Sequence, residues 1–110
     1  MVWTSSGAAL KPYVGWAAYG SSKAALHAIA TYLAVEEPDI CSVSIQPGRV
    51  DTDMQKEVRE KGHAAMHSRD YEAFANAFRD GTLVRPEEPA GVIARVVVTP
   101  KSDISGLNLK

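Results

Sequence analysis

Tyr19-Gly20-Ser21-Ser22-Lys23 opens a stretch from Ala17 to Val35 that is rich in alanine and leucine. That composition predicts a helix, on which Ala18, Leu26, Ile29, Leu33 and neighbouring alanines make an apolar surface broad enough to be buried on more than one side. Pro38 and Asp39 end it. Tyr19 and Lys23 then stand at i and i+4, one turn apart on the same face. An ammonium beside a phenol favours phenolate over phenol, so the two form an acid/base pair. Thirteen residues upstream lies Ser6, in Thr4-Ser5-Ser6-Gly7, a hydroxyl able to hold a carbonyl oxygen while the tyrosine gives it a proton.

The flanking segments supply the rest of a repeating unit. Val2 to Ser5, β-branched and aromatic, reads as a short strand. Ser6 to Ala9 turns out of it, and Leu10 to Gly15 is loop. Ile40 to Ile45 carries Val and Ile at alternating positions and predicts a second strand, stopped by Pro47-Gly48. Strand, helix and strand in that order imply a right-handed crossover and parallel pairing, hence an α/β fold. Asp51-Thr52-Asp53 offers N-cap candidates for a helix reaching about Lys61 and ended by Gly62. In Ser68 to Asp80 an apolar stripe of Tyr71, Phe74, Ala75 and Phe78 predicts a further helix. Pro86-Glu87-Glu88 begins another, ending near Val98, before Pro100. Ile104 to Leu109 reads as a last, partial strand.

With 110 residues, 45% hydrophobic and 23% charged, the chain has the size and make-up of one soluble domain. A net charge of -1 gives no basic footprint for nucleic acid or an anionic membrane. No apolar run approaches the roughly 20 residues of a membrane span, and no signal peptide is evident. A single cysteine, Cys41, precludes an internal disulfide and makes a cytoplasmic location the default expectation. His63 and His67 are spaced i, i+4, but no third ligand lies nearby, and no metal site is assigned. The scattered carboxylates form no dyad suited to hydrolysis.

Thr4-Ser5-Ser6-Gly7, Tyr19-x-x-x-Lys23 and Gln46-Pro47-Gly48-Arg49-Val50-Asp51-Thr52 together resemble the second half of a short-chain dehydrogenase/reductase. The resemblance covers nearly the whole chain. It implies a partial Rossmann-type three-layer fold with parallel strands, residues 1–110 being the C-terminal part of one NAD(P)-binding domain. Within it, 51–82 would be a helical insertion that closes over the substrate. Tyr19 would be the general acid in carbonyl reduction, Lys23 would bind the nicotinamide ribose hydroxyls, and Ser6, preferred to Ser5 by its spacing from Tyr19, would polarise the substrate carbonyl. The loop of Pro47, Gly48, Val50 and Thr52 would hold the carboxamide, Thr52 serving also as an N-cap. The implied activity is NADP(H)-dependent reduction of a small ketone or dicarbonyl, NAD being the other possible cofactor. The helix carrying Tyr19 would form half of a homo-oligomer contact.

Val50-Asp51-Thr52-Asp53-Met54-Gln55 is similar to sepiapterin reductases and to benzil reductase-like proteins. Aligned on Ser105-Gly106, Lys110 falls where sepiapterin reductases carry a pterin-anchoring acid, which favours a dicarbonyl or ketone reductase. The Gly-rich turn and the Asn-Asn-Ala-Gly segment of the family are absent, as are the N-terminal βαβ units. The expectation is therefore the C-terminal half of a larger enzyme. The alternative is a catalytically inactive fragment that acts at most as an interaction module through its exposed helix and strand edge.

Overall fold

A computed structural model describes all of residues 1–110. Three short strands, β1 (Val2–Thr4), β2 (Val43–Ile45) and β3 (Asn108–Leu109), form one parallel sheet in the order β1-β2-β3. Val2 lies opposite Val43, and Ser44 lies opposite Asn108. Parallel neighbours need a crossover between them. Accordingly α1 (Ala17–Glu36) joins β1 to β2, while α2 (Asp53–Lys61), α3 (Ser68–Arg79) and α4 (Glu87–Val98) lie between β2 and β3. This is an α/β, partial Rossmann-type fold. None of its helices is long and apolar enough to cross a membrane.

The core is centred on β2, whose three residues are all buried, with Ala30 of α1 against it. Its polar members are serines, and each has a partner. Ser42 Oγ accepts from Trp3 Nε1 at 3.0 Å, and the Ser42 amide donates to Ser105 Oγ at 3.1 Å. Ser44 Oγ pairs with His27 Nδ1 of α1 at 3.0 Å. Substituting His27 by leucine would strip the fully buried Ser44 hydroxyl of its side-chain partner. We expect that change to cost about 1–2 kcal/mol, seen as a lower urea midpoint; an unchanged midpoint would mean that the pair contributes nothing.

The second strand is shorter than its sequence suggests. After Pro38 the Ile40 amide turns back onto the Glu37 carbonyl at 2.9 Å, so the ladder begins only at Val43. The last strand is confined to two residues for a similar reason, because Ser102–Ile104 coils into a 3-10 turn and Gly106 takes φ +82°. The apolar stripe of α3 is also rotated from expectation. Phe74 and Ala77 are the buried residues, while Phe78 is 54% exposed and lies 4.0 Å beneath the Arg59 guanidinium. Residues 51–82 hold α2 and α3 and are closed at their base by a parallel bridge between Val50 and Val84. Two hydrogen bonds of 2.9 Å make it, Val84 amide to Arg49 carbonyl and Asp51 amide to Val84 carbonyl.

Candidate active site

The C-terminal ends of β1 and β2 open onto a cleft of about 530 Å³, the usual position for a ligand in an open parallel sheet. Thr4, Ser5 and Ser6 line one wall, the 46–52 loop another, and Tyr19 and Lys23 of α1 the side between them. All the residues singled out from sequence, Ser6, Tyr19, Lys23, Pro47, Gly48, Val50 and Thr52, therefore meet in one cavity.

Backbone geometry separates the two serines. Ser5 is 2% exposed, and its hydroxyl donates to the Lys23 carbonyl at 3.4 Å, which fastens the strand end beneath α1. Ser6 is half-buried with extended backbone, and its Oγ accepts from the Ala8 amide at 3.2 Å, capping the 3-10 turn Gly7–Ala9. Used in this way as an acceptor, the Ser6 hydroxyl keeps its proton free to donate into the cleft. The turn seats closely on α1 because Gly20 has no side chain: a Cβ there would stand 2.9 Å from the Ala8 carbonyl oxygen.

Tyr19 lies in the first turn of α1, and Lys23 one turn later. The Lys23 Nζ sits 5.7 Å from the Tyr19 ring centroid and donates to the Thr4 carbonyl at 3.0 Å, so the strand end holds it beside the phenol. An ammonium has three protons, which leaves two for a ligand. Across the cleft Gly48 takes φ +81°, a conformation that side chains disfavour, and turns the chain out of β2. Thr52 occupies the N-cap position of α2 with extended backbone, yet its hydroxyl donates to the Val50 carbonyl at 3.3 Å instead of accepting from the helix. Its expected capping bond is thus replaced by a bond within the loop. Gln46 also lines the cleft, and its Nε2 is buried without a partner.

A group of aromatic residues escaped the reading by motif. Trp16 lies 5.3 Å from Phe74 and 5.4 Å from Tyr13 between ring centroids, and Tyr13 lies 6.0 Å from Phe74. Trp16 also meets Tyr19 edge to face at 5.5 Å and 87°. The Arg49 guanidinium lies over the Phe74 ring at 4.8 Å from its centroid. The three-residue spacing of Tyr13, Trp16 and Tyr19 was the available signal, but Phe74 arrives from a distant helix. His63 and His67 do not share a helix face: His63 is in a 3-10 turn with its ring against Tyr71, and His67 precedes α3.

Residues 1–63, which include Ser6, Tyr19, Lys23 and the 46–52 loop, match the short chain dehydrogenase family. The chain belongs to that family. Members of the short-chain dehydrogenase family generally use NAD(P)(H). A benzil reductase, (S)-benzoin forming, from Saccharomyces cerevisiae is 46% identical over 101 residues, which span 89% of this chain and 38% of the relative. The sepiapterin reductase of Bos taurus is 46% identical over 56 residues, 51% of this chain and 21% of the relative. Among solved structures, the KRED1-Pglu enzyme superposes with a TM-score of 0.91 at 41% identity, over 98% of this chain and 45% of that one. The chain thus spans less than half the length of the short-chain dehydrogenases it matches.

Proposed function

We propose that the intact protein carrying this chain is an NADP(H)-dependent carbonyl reductase that converts a ketone or dicarbonyl to an alcohol. In this reading, residues 1–110 are the C-terminal part of one dinucleotide-binding domain and 51–82 are its substrate-side cover. The convergence of Ser6, Tyr19 and Lys23 on one cleft at the strand ends carries the reading. The partnerless Gln46 amide and the side-chain-free turn at Gly48 suit a polar planar ligand lying against the loop. Tyr19, Lys23, Pro47, Gly48, Val50 and Thr52 would hold a nicotinamide dinucleotide, which supplies the hydride when bound.

The chain's own groups account for the remaining chemistry. The Ser6 hydroxyl donates to the substrate carbonyl oxygen and fixes it, and Tyr19 gives that oxygen the proton that completes the alcohol. Lys23 offers its two free protons to sugar hydroxyls while its charge stays beside the phenol. Homo-oligomerisation through α1 belongs to the same proposal, and it is supported by the exposure of Tyr32 (68%) and Val35 (81%) on that helix.

The test is oxidation of NADPH by the intact protein with a dicarbonyl such as benzil. Turnover is expected, and it should fall by about 10²-fold in Ser6→Ala, the order found for removing one hydrogen bond to a reacting oxygen. Ser5→Ala should cost stability and not orientation of the carbonyl. No turnover with NADPH or NADH would overturn the reading, and a larger rate loss in Ser5→Ala would exchange the two serines.

A further inference from the structure

The cleft that holds Ser6, Tyr19 and Lys23 is one-sided in charge. Among the residues that line it two are cationic, Lys23 and Arg49, and none is an aspartate or a glutamate. Lys23 is accounted for, since it donates to the Thr4 carbonyl beside the phenol. Arg49 is not. We propose that its guanidinium seats a carboxylate carried by the carbonyl substrate, which makes the preferred substrate an oxo acid. The inference rests on the carbonyl reductase reading and names the substrate class for it.

Three observations carry it. The first is the lack of an internal anion. None of the chain's four ion pairs includes Arg49, although Asp51 and Asp53 follow it closely in sequence. The side chain is exposed, so a ligand entering the cleft can reach it. The second is placement. The Arg49 carbonyl accepts from the Val84 amide at 2.9 Å, which pins the backbone. Farther out, the guanidinium rests over Phe74, itself only 5% exposed. A guanidinium held on a ring keeps the N–H groups along its edges, and their fork matches the two oxygens of a carboxylate. Both anchors exist before a ligand arrives, so little freedom is lost on binding. The third is position along the wall. Phe74 packs on Trp16 and Trp16 on Tyr19, so one aromatic row runs from the cation to the proton donor. That row suits a molecule with a ketone and a carboxylate. A phosphate of the dinucleotide is the competing occupant. Phe74 belongs to the 51–82 excursion, which covers the substrate in this reading, and that favours the substrate's anion.

Phenylglyoxylate, 3-benzoylpropanoate and 4-acetylbenzoate set a carboxylate at different distances from a ketone, and the methyl ester of each removes the charge alone. With NADPH saturating, the intact protein should show a higher kcat/KM for at least one acid than for its ester. That excess should shrink as salt is raised from about 0.02 to 0.5 M, because screening weakens an exposed charge pair. Arg49→Gln should lower the acid-to-ester ratio about 10- to 100-fold, the worth of hydrogen bonds to a charged group, through KM more than kcat. Arg49→Lys should keep part of the ratio, retaining the charge without the fork. A general loss of structure would depress acid and ester alike, and an unchanged ratio in Arg49→Gln overturns the proposal. Should that variant fail to fold, the salt series on the unmutated protein decides, and a ratio indifferent to salt overturns it. Weaker NADPH binding in Arg49→Gln with the ratio kept would assign the guanidinium to a dinucleotide phosphate and overturn it equally. Esters reduced as well as every acid would overturn the oxo acid preference but leave the reductase reading standing. No turnover of any acid or ester would overturn both.

Discussion

Replacing Tyr19 by phenylalanine is expected to lower the turnover of the intact protein by about 10²- to 10⁴-fold, the range for loss of a positioned general acid. The change removes one oxygen and leaves the ring, so the edge-to-face contact with Trp16 and the placement of Lys23 above the ring both survive. Lys23 is tied to the Thr4 carbonyl and not to the phenol, and nothing in the substitution releases it. Dinucleotide affinity, measured by fluorescence titration, should therefore change by no more than a few fold while kcat collapses. Turnover equal to the unmutated protein would remove Tyr19 from the mechanism. A parallel loss of dinucleotide affinity would show that the hydroxyl, and not the ring, carries most of Tyr19's part in holding the dinucleotide.

Gly15→Ala carries the largest stability effect expected of any single added methyl in the chain. Gly15 has φ +82°, and a Cβ there would meet the Ala65 carbonyl oxygen at 2.6 Å and its carbon at 3.3 Å. Those are main-chain atoms, which cannot swing aside as a side-chain tip would. The left-handed conformation costs about 1–2 kcal/mol for a residue with a Cβ, and the overlap adds about 1–3 kcal/mol. A destabilisation of about 2–5 kcal/mol follows, readable in a thermal or urea melt. Gly81 supplies the control. Its φ is +67°, but nothing lies within 4 Å of a Cβ, so Gly81→Ala should cost only the conformational part. Equal losses at the two positions would mean that the Ala65 contact is softer than its distance implies.

The contrast between these two tyrosine- and glycine-centred sites reflects what a sequence can and cannot show. Helix α1 was legible almost to its ends, because composition and the Pro38 stop act locally. That Tyr19 and Lys23 face one cleft was legible for a related reason, since a Tyr-x-x-x-Lys pair on a helix stands one turn apart on one face, and the resemblance of the motifs put Ser6 beside them. The extents of the second and third strands were not, since the Ser42 amide goes to a side chain more than 60 residues away. Thr52 looked like a cap, yet its hydroxyl found a nearer acceptor in Val50. The aromatic wall needed Phe74 to reach Trp16 across the fold, and only tertiary packing brings those rings together. Phe78, with an equal claim by periodicity, was left outside under Arg59.

The bridge between Val50 and Val84 has a bearing on how freely this architecture can change. It pins both ends of residues 51–82 beside the sheet, so the helical excursion between them is attached like a cassette. Removing that segment would roughly halve the connection between paired Ser44 and Asn108, and each doubling of a loop costs only about 0.6 kcal/mol in closure entropy. Lengthening, shortening or resculpting the excursion is thus nearly neutral for the chain entropy of the sheet. Mutational drift can revise the outer wall of the cleft, Met54 and Phe74 included, while the strands that hold Ser6 keep their register.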